Sequence, residues 1–133
     1  MKICVIGTGT MAKGIVKAFA AKMPVVMKSR TQASLDKAMA SISKGYAKLV
    51  EKGKIAQADM DAIMANITTT TDYAAFADAD LVIEAAVEEM QLKKDVFMEL
   101  DKICKPETIF ATNSSSLSIT EIAACTSRPA QFI

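Results

Sequence analysis

The sequence predicts an α/β protein in which a parallel sheet is covered by helices on both faces. Short apolar runs alternate along the chain with segments whose apolar residues recur at helical spacing. The first thirty residues also contain, in order, an apolar run, a glycine-rich turn, a helical pattern and a second apolar run, which together make one βαβ unit. A length of 133 residues with 51% hydrophobic residues fits one well-packed domain spanning residues 1–133.

The first half of the chain predicts two strands followed by a helical hairpin. The apolar residues 3–6 stop at Gly7, as a fully buried strand does, and a helix is predicted from residue 11 until Pro24 ends it. Residues 25–27 are the second predicted strand. A long amphipathic helix over 31–52, a turn at Gly53 and a second helix over 56–64 would form a hairpin at about 31–65, inserted after the second strand.

The second half predicts three more strands, at residues 67–71, 81–84 and 108–111, with a helical turn at 72–76 and a helix at 88–103 between them. Ser118 and Glu121 have capping-box spacing, so the final helix is expected to begin at Ser118 and run through Ala124. Right-handed crossovers then favour a Rossmann-type doubly wound sheet with strand order 3-2-1-4-5. The last residues, 131–133, resemble the opening of a sixth strand, and we therefore expect the sequence to be part of a larger protein.

Charge and composition argue against several classes of partner. The 16 Lys and Arg residues nearly balance the 15 Asp and Glu residues, so no uniform field would attract nucleic acid or an anionic membrane. The N-terminus lacks a signal-peptide pattern, and no stretch is long enough to span a bilayer. Three widely spaced cysteines suit buried free thiols in a reducing cytoplasm. Histidine is absent, so this chain alone has no imidazole base, and no metal site is predicted.

The glycine-rich turn, Gly7-Thr-Gly9-Thr-Met11-Ala12, follows a predicted strand and opens a predicted helix, which is the context of a dinucleotide-binding loop. Gly7 would permit the tight turn, Gly9 would let the backbone approach a pyrophosphate, and Ala12 would allow the helix to pack on the strand. The helix start, at Thr10 and Met11, would direct unpaired N–H groups at the phosphates. The sequence therefore predicts a nicotinamide cofactor at this loop. A glycine turn with no ligand is the alternative.

The residues after the second strand bear on which nicotinamide cofactor is bound. NAD sites usually place Asp or Glu about twenty residues beyond the loop, where the ribose hydroxyls lie. This sequence has Lys28-Ser29-Arg30 there, so a 2′-phosphate would meet no repulsion, Ser29 could donate a hydrogen bond and Arg30 could pair with the phosphate. The pattern favours NADP over NAD. The alternative is that Lys28 and Arg30 are solvated charges at a strand end.

Other polar residues are predicted at the same edge of the sheet. The run 112–116, which contains Asn113 and Ser115, follows the fifth strand and suits either a polar substrate or an ordinary turn and cap. Glu88 and Lys93 begin the helix after the fourth strand, where spacing alone favours a solvated face. The hairpin lysines, including Lys52, form a basic surface that could receive phosphates of a large ligand, with ordinary solvation as the default.

Four blocks of the sequence together resemble the L-3-hydroxyacyl-CoA dehydrogenase family, and the resemblance spans essentially the whole chain. The blocks are Val5-Ile-Gly-Thr-Gly-Thr-Met11, Leu81-Val-Ile-Glu-Ala-Ala-Val-Glu88, Lys105-Pro-Glu-Thr-Ile109 and Asn113-Ser-Ser-Ser-Leu-Ser-Ile119. The resemblance implies an enzyme that oxidises a 3-hydroxyacyl-CoA or catalyses the reverse reaction. It further implies that Glu88 and Lys93 contact the cofactor, and that Lys52 approaches the CoA phosphates. Asn113 would lie near the nicotinamide end, and Ser115 would hydrogen-bond the substrate oxygen.

The resemblance also implies a second, helical domain through which the full-length protein forms a homodimer, and that domain is absent from this sequence. The family's general base is a histidine expected just beyond residue 133, so this fragment is expected to be inactive. Three departures from the family pattern are Ser29, where an acid is usual, a turn at Met23-Pro24 that is about one residue shorter than the family's, and Ala12, where glycine is usual. A non-catalytic Rossmann module for nucleotide sensing or protein interaction is the alternative function.

Overall fold

The computed structural model describes residues 1–85, 90–112 and 116–132, with only the backbone described at residues 116–118. The described residues contain five strands and five α-helices. Two 3₁₀ turns, Tyr73–Phe76 and Pro129–Gln131, complete the described elements. The strands are β1 (Ile3–Ile6), β2 (Val25–Lys28), β3 (Ile67–Thr70), β4 (Leu81–Glu84) and β5 (Ile109–Thr112). The helices are α1 (Thr10–Ala20), α2 (Gln32–Glu51), α3 (Gln57–Ala65), α4 (Met90–Ile103) and α5 (Ser116–Ala123).

All five strands are parallel and lie in the order β3-β2-β1-β4-β5, which confirms the predicted fold class and strand order. The register brings the carboxyl ends of the strands level: Ile6 at the end of β1 pairs with Lys28 on one side and Glu84 on the other. Glu84 in turn pairs with Thr112 at the end of β5. The direction of winding reverses between β1 and β4, so the ligand-binding crevice of this fold is expected at that point.

The core is divided between the two faces of the sheet. Residues of β1 alternate between them: Ile3 and Val5 pack in one cluster with α1 and α2, and Cys4 and Ile6 pack in the other with α4. Because both faces are covered, β1 is buried along its whole length, which explains its continuous apolar sequence. In the second cluster the rings of Phe97, Phe110 and Phe132 lie with centroids 5.0–5.3 Å apart.

The predicted helical hairpin is present as α2 and α3. Thr31 caps α2, its hydroxyl accepting a hydrogen bond from the N–H of Ser34 at 3.2 Å. The chain leaves α2 through Gly53, whose φ of +71° lies in the left-handed region that favours glycine. Leu35, Ala38 and Ile42 of α2 are buried against the sheet. The hairpin is therefore anchored by one apolar face, as its periodicity indicates.

Two details of the C-terminal segment differ from the sequence prediction. Helix α5 begins at Ser116, so Ser118 lies inside the helix and the predicted start there was wrong. A spacing of three residues is also the spacing of neighbours on one helical face, and it therefore does not identify a cap by itself. Of the three free cysteines, Cys4 and Cys104 are buried but Cys125 is exposed, because it follows the end of α5. The prediction that all three are buried was wrong for Cys125.

At the end of the described chain, Phe132 forms a single parallel bridge with Phe110 of β5, where a sixth strand would lie. Over the described ranges, each helix is too short or too polar to cross a bilayer.

Candidate functional site

A cavity of about 730 Å³ opens at the carboxyl edge of the sheet, at the point where the winding reverses. The glycine turn after β1 forms one wall, residues 28–31 after β2 form another, and Leu92, Lys93 and Val96 of α4 form a third. Its volume is within the range of roughly 300–1,000 Å³ typical of small-molecule and cofactor sites. The cavity is therefore the candidate site.

A second cavity of about 700 Å³ lies at the opposite, amino edge of the sheet. Its charged groups are already paired within the chain. Lys2 contacts Asp78 at 2.6 Å, and Lys105 contacts Asp80 at 2.6 Å. Open α/β sheets bind ligands at the carboxyl ends of their strands, so the carboxyl-edge cavity is the better candidate.

The two glycines of the turn serve different purposes. Gly7 has a φ of +125°, which only glycine adopts without strain, and its N–H donates a 2.9 Å hydrogen bond to the carbonyl of Lys28. Gly9 has an ordinary φ of −74°, and a Cβ added there would meet no atom within 4 Å. Neither the backbone nor the packing of the described chain explains the missing side chain at Gly9. A ligand that approaches the backbone closely would explain it.

The N-terminus of α1 has the features of an anion site. Gly9 occupies the N-cap without a side-chain hydrogen bond, and the first turn contains no acidic residue. Thr10 and Met11 line the cavity, and Met11 is 55% exposed. Ala12 is fully buried and packs with Val5, so its small size lets the helix lie close to the strand, as predicted. The unpaired N–H groups and the positive end of the helix dipole are suited to a phosphate.

The segment after β2 lines the same cavity through Lys28, Ser29 and Arg30. Arg30 is exposed, but Lys28 is only 6% exposed, and its Nζ lies 3.8 Å from the centroid of the Tyr73 ring. The interpretation of Lys28 as a solvated charge is therefore wrong. Burial lowers the pKa of Lys28, the negative charges of Glu99 and Asp72 act to raise it, and the nearby charge of Arg30 lowers it further.

Tyr73 was not anticipated from the sequence. Burial is the largest effect on its phenol and raises the pKa to about 12, so the ring stays neutral at physiological pH. Its neutral face is suited to an ammonium group, which Lys28 supplies. Tyr73 lies in the 3₁₀ turn entered through Asp72, whose carboxylate accepts a hydrogen bond from the N–H of Ala74 at 2.9 Å.

A buried ion pair forms the inner wall of the cavity. Lys93 of α4 donates to Oε1 of Glu84 at 2.6 Å, and the hydroxyl of Thr112 donates to the same oxygen at 2.7 Å. Glu84 is 1% exposed and Lys93 is 3% exposed. The solvated interpretation of Lys93 is therefore wrong, because α4 packs this position against the ends of β4 and β5. Glu84 could have been suspected from the sequence, since it ends an otherwise apolar strand at the ligand-binding edge.

The structure brings together eight of the predicted site residues at this cavity or directly beneath it: Gly7, Gly9, Thr10, Met11, Ala12, Ser29, Arg30 and Lys93. Glu88, Asn113 and Ser115 lie outside the described residues. Lys52 is exposed at the C-cap of α2 and does not line the cavity. Across the described residues, no three Cys, Asp or Glu side chains converge as metal ligands would.

Comparison with known families places this geometry in context. Residues 2–133 match the model of the family described as "3-hydroxyacyl-CoA dehydrogenase, NAD binding domain". Among curated relatives, the chain is 52% identical over 134 residues to a 3-hydroxybutyryl-CoA dehydrogenase of Clostridioides difficile, covering 100% of this chain and 48% of the relative. It is 46% identical over 134 residues to a probable 3-hydroxybutyryl-CoA dehydrogenase of Deinococcus radiodurans, with the same two shares covered.

Solved structures show the same relationship. The crystal structure of (S)-3-hydroxybutyryl-CoA dehydrogenase from Ralstonia eutropha superimposes with a TM-score of 0.93 and 37% identity, over 99% of this chain and 47% of that one. A 3-hydroxybutyryl-CoA dehydrogenase from Escherichia coli superimposes with a TM-score of 0.95 and 35% identity, over 99% of this chain and 28% of that one. The chain spans about half the length of the curated relatives described above.

Proposed function

The chain belongs to the 3-hydroxyacyl-CoA dehydrogenase family, as its NAD-binding domain, and we propose that it is the cofactor-binding half of an enzyme that interconverts 3-hydroxybutyryl-CoA and acetoacetyl-CoA. One observation supports the binding role above all. Gly9 lacks a side chain at a position where a Cβ would meet nothing, at the mouth of the cavity beside the start of α1. That space suits the close approach of a pyrophosphate to the backbone.

Each part of the cavity then has a task in binding. The turn from Gly7 to Gly9 holds the pyrophosphate, and the start of α1 at Thr10 and Met11 presents its N–H groups to the phosphate oxygens. Ala12 keeps the helix close enough to β1 for those groups to reach. A bound nicotinamide dinucleotide supplies the hydride acceptor or donor. The protein supplies its orientation.

Lys93 is proposed to contact the cofactor, together with Glu88. Support for Lys93 comes from its place in the cavity wall, where Glu84 fixes its ammonium at 2.6 Å. A lysine held by a buried carboxylate keeps its direction, so it can meet the same ligand atom each time. For Glu88, the support is the match of its sequence block to the family pattern.

The catalytic roles proposed for Asn113 and Ser115 rest on their sequence block, which follows β5 at the ligand-binding edge. Asn113 is assigned to the nicotinamide end and Ser115 to the oxygen of the substrate. A serine hydroxyl can hydrogen-bond that oxygen, but it is a poor base for the proton that leaves with the hydride. The chain contains no histidine, so we expect it to bind the cofactor without turning over alone.

The cofactor is proposed to be NADP(H) in preference to NAD(H). Ser29 and Arg30 line the cavity after β2, where an NAD site usually has an acid. Without that carboxylate a 2′-phosphate is not repelled, and the Arg30 guanidinium can pair with it. In the described part of the cavity wall, Glu84 is the one acidic residue, and its carboxylate is bonded to Lys93 and Thr112.

The remaining partners follow from the same family assignment. Lys52, exposed at the end of α2, is proposed to approach the CoA phosphates of a 3-hydroxyacyl-CoA substrate. The full-length protein is proposed to dimerise through a helical domain beyond the chain described above. The three free thiols support a reducing compartment, the cytoplasm. Neither nucleic acid nor a membrane is proposed as a partner, since the charges of the chain nearly balance.

Calorimetric titration of this chain with NADH and with NADPH tests the proposal. We expect saturable binding of both, with NADPH the tighter. Absence of binding by either cofactor at millimolar concentration would refute the binding role, whereas tighter binding of NADH would refute only the NADP preference. Addition of acetoacetyl-CoA with NADPH should give no loss of absorbance at 340 nm beyond the buffer rate. Rapid turnover by the chain alone would contradict the assignment of the base to a missing domain.

A further inference from the structure

The Lys28 side chain is mostly buried in the cavity wall, and its ammonium reaches the cavity without a protein acceptor for its protons. It is 6% exposed and lines the cavity, and its Nζ lies 3.8 Å from the centroid of the Tyr73 ring. Within residues 1–85, 90–112 and 116–132, the side chain of Lys28 makes no hydrogen bond or ion pair. A lysine with so little exposed surface is normally paired, so its lack of a protein partner requires an explanation.

The surroundings of Lys28 do not supply that pairing. Glu99 and Asp72 act on it only at a distance, and the ring of Tyr73 offers its face but no lone pair in bonding geometry. Lys93, in the same cavity, shows the contrast, because its ammonium is bonded to Glu84 at 2.6 Å. The stem of Lys28 packs in the cavity wall while its ammonium stays at the cavity surface, where a ligand can reach it. An anionic ligand would satisfy the free donors.

The position of Lys28 indicates which part of a ligand it meets. It is the last residue of β2, and the segment that follows β2 borders the adenosine ribose in this fold. Arg30 is close enough for its positive charge to act on Lys28, and the hydroxyl residues Ser29, Thr31 and Ser34 line the same part of the cavity. The Thr31 hydroxyl already donates to Ser34 Oγ at 2.9 Å. The two cations, with the hydroxyl groups of Ser29 and Ser34 as donors, are suited to a doubly charged phosphate rather than to neutral ribose hydroxyls.

We propose that the Lys28 ammonium binds the phosphate that NADP(H) carries on its adenosine ribose, and that it thereby sets the preference for NADP(H) over NAD(H). This inference rests on the proposed binding function, to which it adds a role for one side chain. Lys28 and Arg30 divide the task. Lys28 provides a charge fixed by Tyr73 inside the cavity, and Arg30 provides an exposed guanidinium at its rim.

Two small probes isolate the proposed contact: adenosine 2′,5′-bisphosphate and adenosine 5′-monophosphate differ only in the 2′-phosphate. Their dissociation constants would be measured by calorimetry for the unaltered chain, for Lys28→Met and for Lys28→Arg. Lys37→Met, which removes an exposed lysine of α2 outside the cavity, is the matched control. Methionine has nearly the length of lysine, so the Lys28→Met chain keeps the packing of the stem.

For Lys28→Met we expect the bisphosphate to bind about 10- to 100-fold more weakly, as for loss of a hydrogen bond between charged groups, with monophosphate binding changed less than about twofold. Lys28→Arg should retain most of the bisphosphate affinity, and Lys37→Met should change neither probe. Equal weakening of both probes would overturn the inference and assign Lys28 to the shared part of the ligand. No weakening of either would overturn it as well.

The failure of this inference can be told from failure of the proposed function. If the unaltered chain binds neither NADH nor NADPH, the proposed function fails. If it binds NADPH and Lys28→Met keeps the same ratio of NADPH to NADH affinity, only the role of Lys28 fails. Should Lys28→Met not fold, as judged by circular dichroism, the Lys28 Nζ resonance of the unaltered chain gives the answer. It should shift with the bisphosphate and not with the monophosphate, and an equal response to both would overturn the inference.

Discussion

Replacing Glu84 with glutamine should strongly destabilise the fold, because it removes the negative charge from the buried ion pair that Glu84 forms with Lys93. The two side chains are 1% and 3% exposed, and they meet at 2.6 Å. Removing one partner of a buried ion pair typically costs about 3–5 kcal/mol, which is a large part of the roughly 5–15 kcal/mol that holds a domain folded. Thr112→Val removes the 2.7 Å hydroxyl bond to the same carboxylate, and this loss should cost about 1.5–3 kcal/mol.

Urea unfolding followed by circular dichroism at pH 7 measures these losses, and the chain offers a matched control. Lys94 and Glu121 also meet at 2.6 Å, but their side chains are 21% and 56% exposed. Glu121→Gln should therefore cost no more than about 1 kcal/mol. The double variant Glu84→Gln with Lys93→Met should recover part of the loss seen with Glu84→Gln alone, since no buried charge is left unpaired. If Glu84→Gln cost no more than Glu121→Gln, the reasoning from burial would be refuted.

Three further predictions concern the glycine turn, a partly buried carboxylate and the thiols. Gly9→Ala should weaken NADPH binding, as measured by calorimetry. It should lower the melting temperature less than Gly7→Ala, which places a side chain at a φ of +125°. Equal effects on stability would count against the separate roles. Burial raises the pKa of Asp101, but hydrogen bonds from its neighbours outweigh it and hold that pKa below the usual value. Because the pKa of Asp101 is lower in the folded state than in the unfolded state, Asp101→Asn should be less stable than the unaltered chain at pH 7. The urea midpoints of the two chains should converge as the pH falls below about 4. A difference between the midpoints that does not depend on pH would contradict this. A thiol reagent should react quickly with the exposed Cys125 alone, and with all three cysteines only in denaturant. Fast reaction of Cys4 or Cys104 in the folded chain would contradict their burial.

The fold was predictable because its main signals are local and agree with one another. Residues 3–6 are apolar without interruption, Gly7 ends them, and Pro24 limits the next helix, so the first βαβ unit follows from sequence alone. The strand order then follows from the handedness of the crossovers. The start of α5 was less predictable, because a serine-rich segment offers several possible caps and Ser118 matched the spacing by chance.

The glycine turn of the candidate site was predictable from the sequence, but the buried charged residues of the site were not. Periodicity assigns a lysine to solvent unless a partner is known, and the partners of Lys93 lie on other strands, Glu84 at the end of β4 and Thr112 at the end of β5. The burial of Lys28 could not be predicted for the same reason, since Tyr73 comes near it only through the fold. Long-range pairing of this kind depends on strand register, which one sequence does not reveal.

Arg128 gives the clearest case of a role that no local pattern signals. Its guanidinium is buried and donates to Asp101 at 2.7 Å and to the carbonyl of Lys105 at 2.6 Å. It also lies over the ring of Phe110, with 4.8 Å between the guanidinium carbon and the ring centroid. The arginine thereby ties the segment after α5 to the end of α4. In the sequence it is one basic residue among polar neighbours, so nothing distinguished it from a solvated charge.

The measurement that tests the central claim most directly is an amide chemical-shift titration of the ¹⁵N-labelled chain with NADPH. The account predicts that the largest shifts fall on the glycine turn, on the start of α1 and on Lys28, Ser29 and Arg30, all at the carboxyl edge of the sheet. Residues at the amino edge, such as Lys2 and those near the second cavity, should not respond. Shifts concentrated at that amino edge, or no shifts at saturating NADPH, would contradict the claim that this chain binds the dinucleotide through its glycine turn.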